Sequence, residues 1–181
     1  MYFTENKKGT VKMDTKIKTY RPSLVFYKAN AKGTGCAMKM ELHPAHGDTA
    51  GGIMMSLASQ KTVGDYRGPN PIYPTFDWEN PITVKLDFTD LAKMLQVFRG
   101  ECESIEEGRG LVHRSTKGLT YIRLEHLVEP IPGYKLEVKF SAVAGSVEQR
   151  TIMLAPCEAL GLTAAIESSL GVICFGVPEE V

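Results

Sequence analysis

Twice along this chain the rhythm of apolar residues changes. Apolar residues first alternate at every second position, the period of a half-buried strand, and then fall at the spacing of a helix. "SLVFYKA" sets Leu24 and Phe26 against Val25 and Tyr27, and "CAMKMELH" sets Cys36, Met38, Met40 and Leu42 against Ala37, Lys39, Glu41 and His43. "GIMMSLASQ" and "ITVKLD" add Ile53, Met55 and Leu57, then Ile82, Val84 and Leu86. In "DFTDLAKMLQVFRG", Leu91, Met94, Leu95 and Phe98 then form one helical stripe. Asp87 or Thr89 can cap its start, Asp90 suits the positive end of the dipole, and Gly100 suits the position past its end. Four further runs follow, "GLVHRS", "LTYIRLEHL", "GYKLEVKFSA" and "EQRTIML", before a second helix from Pro156 to Gly171. The pattern is a duplicated ββββα arrangement of the α+β class. No linker divides it, so 22–176 reads as one domain, with a basic, mobile arm at 1–21 and a short tail at 177–181.

Composition narrows the classes. With 43% hydrophobic and 23% charged residues the 181-residue chain is expected to be an ordinary soluble protein. No apolar run is read as membrane-spanning, and the start of the chain lacks the apolar core of a secretory signal, so a cytoplasmic location is expected. The four cysteines, Cys36, Cys102, Cys157 and Cys174, are widely spaced and form no C-x-x-C pair. Net charge is zero, yet residues 1–40 carry nine Lys/Arg against Glu5 and Asp14, and the rest of the chain twelve against nineteen acidic residues. Such a basic end is built to meet an anion, or is a solvated tail; charge alone leaves both open.

Motifs for catalysis are weak. His43, His46 and Asp48 in "HPAHGD" could begin a metal site, but nothing elsewhere completes the ligand set, and a polar loop is the expected reading. His113 and His126 have no nucleophile motif nearby, and Glu101, Glu103, Glu106 and Glu107 read as an exposed acidic turn. There is no P-loop and no G-x-G-x-x-G opening a helix. The expectation is a protein that is not an enzyme, with no cofactor and no metal. The second helix has only Glu158 and Glu167 as charges, with Leu160, Leu162, Ile166 and Leu170 spread around it. A helix apolar on most sides must be covered on most sides, so a homo-oligomer is expected.

Two segments carry a resemblance. "YKANAKGTGCAM" (27–38) resembles the Tyr-Lys-Gly-Lys-Ala-Ala-Leu hairpin of the Whirly family through Lys28, Lys32, Gly33 and Ala37. "FDWENPITVKLDFTDLAKMLQV" (76–97) resembles that family's Tyr-Asp-Trp segment, strand and helix opening through Asp77, Trp78, Leu86, Thr89, Leu91 and Leu95. "GECES" (100–104) resembles the Glu-Ser-Cys-Glu that follows. The order of elements also resembles PC4-like and PUR-alpha-like proteins. The chain departs from the family in an insertion in the basic hairpin, an extra Pro-rich loop at 65–75, and the lack of a plant transit peptide, so a prokaryotic or phage relative is expected.

The resemblance implies two antiparallel four-stranded sheets with two helices, a homotetramer, and binding of single-stranded DNA or RNA with little sequence preference in transcription, replication or repair. Such binding needs π-faces for bases and cations for phosphates. The expected groups are Tyr27, Lys28, Lys39, Lys85, Tyr121, Arg123, Lys135 and Lys139 on strands, facing away from the apolar side, and Lys32 on the hairpin turn. Trp78 reads as core, with base stacking as the alternative. The rival readings are an oligomeric structural or protein-interaction module and a metal-dependent hydrolase centred on His43, His46 and Asp48.

Overall fold

The computed structural model describes residues 22–177. The basic arm lies outside the described residues, as does most of the tail. Alternation becomes eight strands: β1 (Ser23–Lys28), β2 (Cys36–His43), β3 (Gly52–Ser59), β4 (Ile82–Leu86), β5 (Leu111–Ser115), β6 (Gly118–Leu127), β7 (Gly133–Ala142) and β8 (Val147–Leu154). They form two antiparallel meanders, ordered β1-β2-β3-β4 and β5-β6-β7-β8. Helix α1 (Phe88–Phe98) follows the first sheet and α2 (Pro156–Phe175) the second, which is the duplicated pattern read from the sequence.

Register follows the apolar alternation, because slipping a strand by one residue would expose its whole buried set. Met40 sits opposite Met55, and Met55 opposite Val84. In the second sheet Ile122 faces Val138 and Leu124 faces Leu136. The inner faces of both sheets and both helices join in one core, with Met38, Met55, Leu57, Ile122, Leu124 and Leu136 fully buried. Helix α1 touches β4 and β6, while α2 touches β2 and β7, so each helix binds the two halves together.

The first helix starts as its sequence dictates. Asp87 Oδ1 accepts from the Asp90 amide (2.9 Å), and Asp90 Oδ2 accepts from the Asp87 amide (3.0 Å), a reciprocal cap. Gly100 follows the last turn with φ +73°. Its stripe of Leu91, Met94, Leu95 and Phe98 is buried.

The second helix departs from expectation. It runs through Gly171 and stops at Gly176, whose positive φ (76°) ends it. Gly171 lies on an exposed side, with open space where a side chain would stand, so the helix loses only conformational entropy there and continues. At 20 residues, α2 meets the length and apolarity of a membrane-spanning helix, a property hidden when it is read as ending at Gly171. Only Ala159, Leu162, Ile166 and Ile173 are buried, whereas Leu160 and Phe175 are exposed. Two ion pairs fasten α2 to the domain: Lys28 to Glu158, and Arg99 after α1 to Glu167 (2.8 Å).

Candidate nucleic-acid interface

Strand parity gives each sheet an outer face. On the first sheet this face carries Val25 and Tyr27 of β1, Lys39 and Glu41 of β2, Ser56 of β3, and Thr83 and Lys85 of β4. Tyr27 is 60% exposed, and its ring lies 5.4 Å from that of Phe76. The Lys39 amine sits 5.9 Å from the Trp78 ring centroid and 3.0 Å from Glu41. Trp78 is half-buried and lines a cleft rather than the core, which corrects the core reading. A lone Trp beside a strand start packs inward only if the loop before it turns under the sheet. Here 60–78 leaves the end of β3 and brings Phe76 against Tyr27 on the outer face.

The chain has seven Tyr, seven Phe and one Trp, and five of these rings, Tyr27, Tyr66, Tyr73, Phe76 and Trp78, line one open cleft of about 690 Å³. Tyr66 and Tyr73 come from the Pro-rich loop, and their rings meet edge to face at 5.9 Å. The spacing of the sequence singles out neither Tyr66 and Tyr73 in this loop nor Phe76 just after it. The signal available was the density of aromatics in 66–78.

The basic turn between β1 and β2 is held from behind by Gln60, which is 7% exposed. Its Oε1 accepts from the amides of Asn30 (2.9 Å) and Gly35 (3.0 Å), and its Nε2 donates to the carbonyls of Asn30 and Thr62 (3.0 Å each). A side chain at position 35 would fall 2.2 Å from the Lys28 carbonyl oxygen, so only glycine permits this approach. Asn30 Oδ1 accepts from the amides of Lys32 (3.0 Å) and Thr34 (3.1 Å). Lys32 is thereby presented outward on a fixed turn, and its amine makes no ion pair among the described residues.

Lys28 is a correction. It shares the parity of Leu24 and Phe26, so it faces the inner side, opposite to Tyr27. Its Nζ lies 2.6 Å from both Glu158 oxygens, and Glu158 also accepts the Ala155 amide (2.7 Å) at the start of α2. Burial alone would raise the Glu158 carboxyl, but the bonds from Lys28 and Ala155 and the Lys28 charge outweigh it and hold the group below its ordinary value. Lys28 joins a strand edge to a helix start.

On the second sheet, Tyr121, Arg123, Lys135 and Lys139 share the outer face, with Tyr121 opposite Lys139. Acids alternate with them: Arg123 lies 3.7 Å from Glu137, and Lys135 3.7 Å from Glu125. Lys139 makes no ion pair among the described residues. Between the edges of β4 and β5 runs a groove of about 520 Å³ carrying Lys85, Arg114 and Lys117, with Glu148 as its carboxylate. Lys85 also donates to the Ala50 carbonyl (2.6 Å). Arg114 and Lys117 were not singled out from sequence, although Arg114 shares the outward parity of Val112 on β5.

Among the described residues, no three His, Cys, Asp or Glu side chains form a group that could hold a metal ion, and His46 and Asp48 stand exposed in a turn. His113 Nε2 lies 3.0 Å from Asp90, tying β5 to the start of α1. In the acidic turn, the Lys93 amine bonds Glu106 at 2.6 Å and holds that carboxyl below its ordinary range.

Two antiparallel four-stranded meanders, each closed by a helix that touches both sheets, define the Whirly fold, and the chain has that fold. Three similar solved structures come from plants. WHY1 from Arabidopsis thaliana superposes with a TM-score of 0.69 at 15% identity, over 87% of each chain. WHY3 from the same plant gives 0.67 at 16% identity, over 86% of this chain and 89% of that one. The plant transcriptional regulator PBF-2 gives 0.64 at 16% identity, over 86% and 91%. No protein-family profile and no curated sequence matches the chain.

Proposed function

We propose that this protein binds single-stranded DNA or RNA with little sequence preference, as a homo-oligomer, and is not an enzyme. The observation that carries this reading is the open cleft of five rings on a sheet face, lined also by Ala29 at the foot of the turn that bears Lys32, with Lys39 over Trp78. Rings stack any base, and the amines meet phosphates, so the arrangement reads unpairedness rather than sequence. The groove cations Lys85, Arg114 and Lys117, with Tyr121 and Lys139 on the second sheet, extend the cationic, ring-bearing surface. The likeness in fold to a plant transcriptional regulator favours a transcription-linked accessory role.

The exposed apolar side of α2 supports the oligomer. The helix's buried stripe and its pairs to Lys28 and Arg99 root it in the domain, so lifting it into a bilayer would tear the core. Its exposed Leu160 and Phe175 call for cover, and a second copy of the same helix supplies an equally apolar face.

The test is a salt titration of oligo-dT binding by fluorescence anisotropy. The logarithm of affinity falls with that of salt at a slope of about −0.7 per phosphate neutralised. A Lys32→Ala/Lys39→Ala variant is expected to flatten that slope by about 1.4. Failure of the wild-type protein to bind at low salt ends the reading in favour of a protein-interaction module.

A further inference from the structure

The geometry points to the Pro-rich loop 61–75 as a base clamp: Tyr66 and Tyr73 close the open side of the outer-face cleft over unpaired nucleobases held against Tyr27 and Trp78. This rests on the proposed function and adds to it a subsite that departs from the sheets themselves.

The loop is a built arm. Its stem is laddered by the Lys61 amide on the Thr75 carbonyl (2.7 Å) and by reciprocal Asp65–Ile72 bonds (2.8 and 2.7 Å). Thr62 and Thr75 hydroxyls add a bond at 2.9 Å. Pro69, Pro71 and Pro74 restrict the backbone, lowering the entropy lost when the tip is held in one shape. Gly64 lets the arm fold tightly, since a Cβ there would meet the Tyr66 hydroxyl at 2.9 Å and the Ile72 carbonyl oxygen at 3.0 Å. Arg67 closes the tip on Asp65 with paired bonds of 3.0 and 3.1 Å.

An arm so fixed still leaves Tyr66 63% and Tyr73 68% exposed. Nothing in the fold needs rings there: neither belongs to the core cluster, and each finds its ring partner in the other. Exposed aromatics gathered in one concavity mark a binding surface, and about 690 Å³ is within the ordinary range of ligand clefts.

Unpaired bases are the occupant that fits. The walls are flat rings rather than aliphatic sockets, which suits planar bases. Gln60 bonds both the turn presenting Lys32 and the carbonyl of Thr62 at the foot of the arm, so cation and rings are held in one frame. Lys39, paired with Glu41 and lying over Trp78, places a second cation beside the cleft.

The experiment compares wild type, Tyr66→Ala/Tyr73→Ala and Tyr66→Phe/Tyr73→Phe for binding to oligo-dT and to an abasic oligomer of equal length, reading affinity, salt slope and quenching of Trp78, the single tryptophan. Circular dichroism melts establish that each variant is folded. The Ala pair is expected to bind oligo-dT at least about tenfold more weakly with an unchanged salt slope, while the Phe pair stays near wild type. On the abasic oligomer all three are expected to coincide. Equal binding of oligo-dT by the folded Ala pair and wild type refutes the clamp and leaves the proposed function standing. The same holds for an equal loss on the abasic oligomer, or a changed oligomeric state as the sole effect of the Ala pair. Absence of oligo-dT binding by wild type refutes both.

Discussion

Lys28→Ala separates the structural reading of that lysine from the one its sequence context suggests. The Lys28 amine contacts both Glu158 oxygens at 2.6 Å, with side chains 33% and 25% exposed. Hydrogen bonds to charged groups contribute about 1.5–3 kcal/mol. Solvent screening at this exposure reduces the expectation to about 1 kcal/mol. For a chain of this size that lowers Tm by about 2–4 °C near neutral pH. Glu158 keeps the Ala155 amide, so the start of α2 stays capped. The pH dependence follows from the carboxyl, which is held below its ordinary value of 4.5. Its contribution is present above that ordinary value and fades as pH falls through the depressed one. The stability gap between wild type and variant therefore closes in acid.

Urea or thermal melts at neutral and acid pH measure this, and a double-mutant cycle with Glu158→Gln isolates a coupling of about 1 kcal/mol. Oligonucleotide affinity and salt slope are expected to be unchanged. A variant as stable as wild type whose salt slope flattens by about 0.7 would overturn the argument, because Lys28 would then be neutralising a phosphate.

Other expectations follow from the same geometry. Light scattering of a Leu160→Asp/Phe175→Asp variant should show a smaller particle than wild type with the fold intact; a wild-type monomer at micromolar concentration removes the oligomer. In that variant a maleimide near neutral pH should label Cys157 and Cys174, which are exposed, well before Cys36. Burial pushes the Cys36 thiol up to about 11, with the Arg150 charge opposing only in part, so it should react only on unfolding. Mass spectrometry of the labelled sites checks this, and native-state modification of Cys36 at a comparable rate would contradict its burial.

Much of the framework was readable in one dimension. Alternation at Cys36, Met38, Met40 and Leu42 reports a two-sided environment, and a strand's geometry converts it directly into an inner and an outer face. The stripe from Leu91 to Phe98 with Asp87 before it is local chemistry, so α1 formed where expected. The inward direction of Lys28 was equally legible from its parity with Phe26, yet the positive charge of the turn obscured it. The end of α2 is less legible, because glycine interrupts a helix only weakly and Gly171 falls on its exposed side.

The aromatic cleft was of another kind. Tyr27 lies on β1, Tyr66 and Tyr73 lie on a loop without period, and no spacing between them signals a meeting. Gln60 links the two segments, a buried amide bonding a turn on one side and a loop foot on the other. Periodicity along one segment sufficed for the eight strands, the first helix and the duplicated ββββα order, because side-chain alternation is a local property. Which amines are committed to ion pairs and which rings share a cleft was decided by the tertiary structure alone, because contacts between distant segments arise only when the core packs.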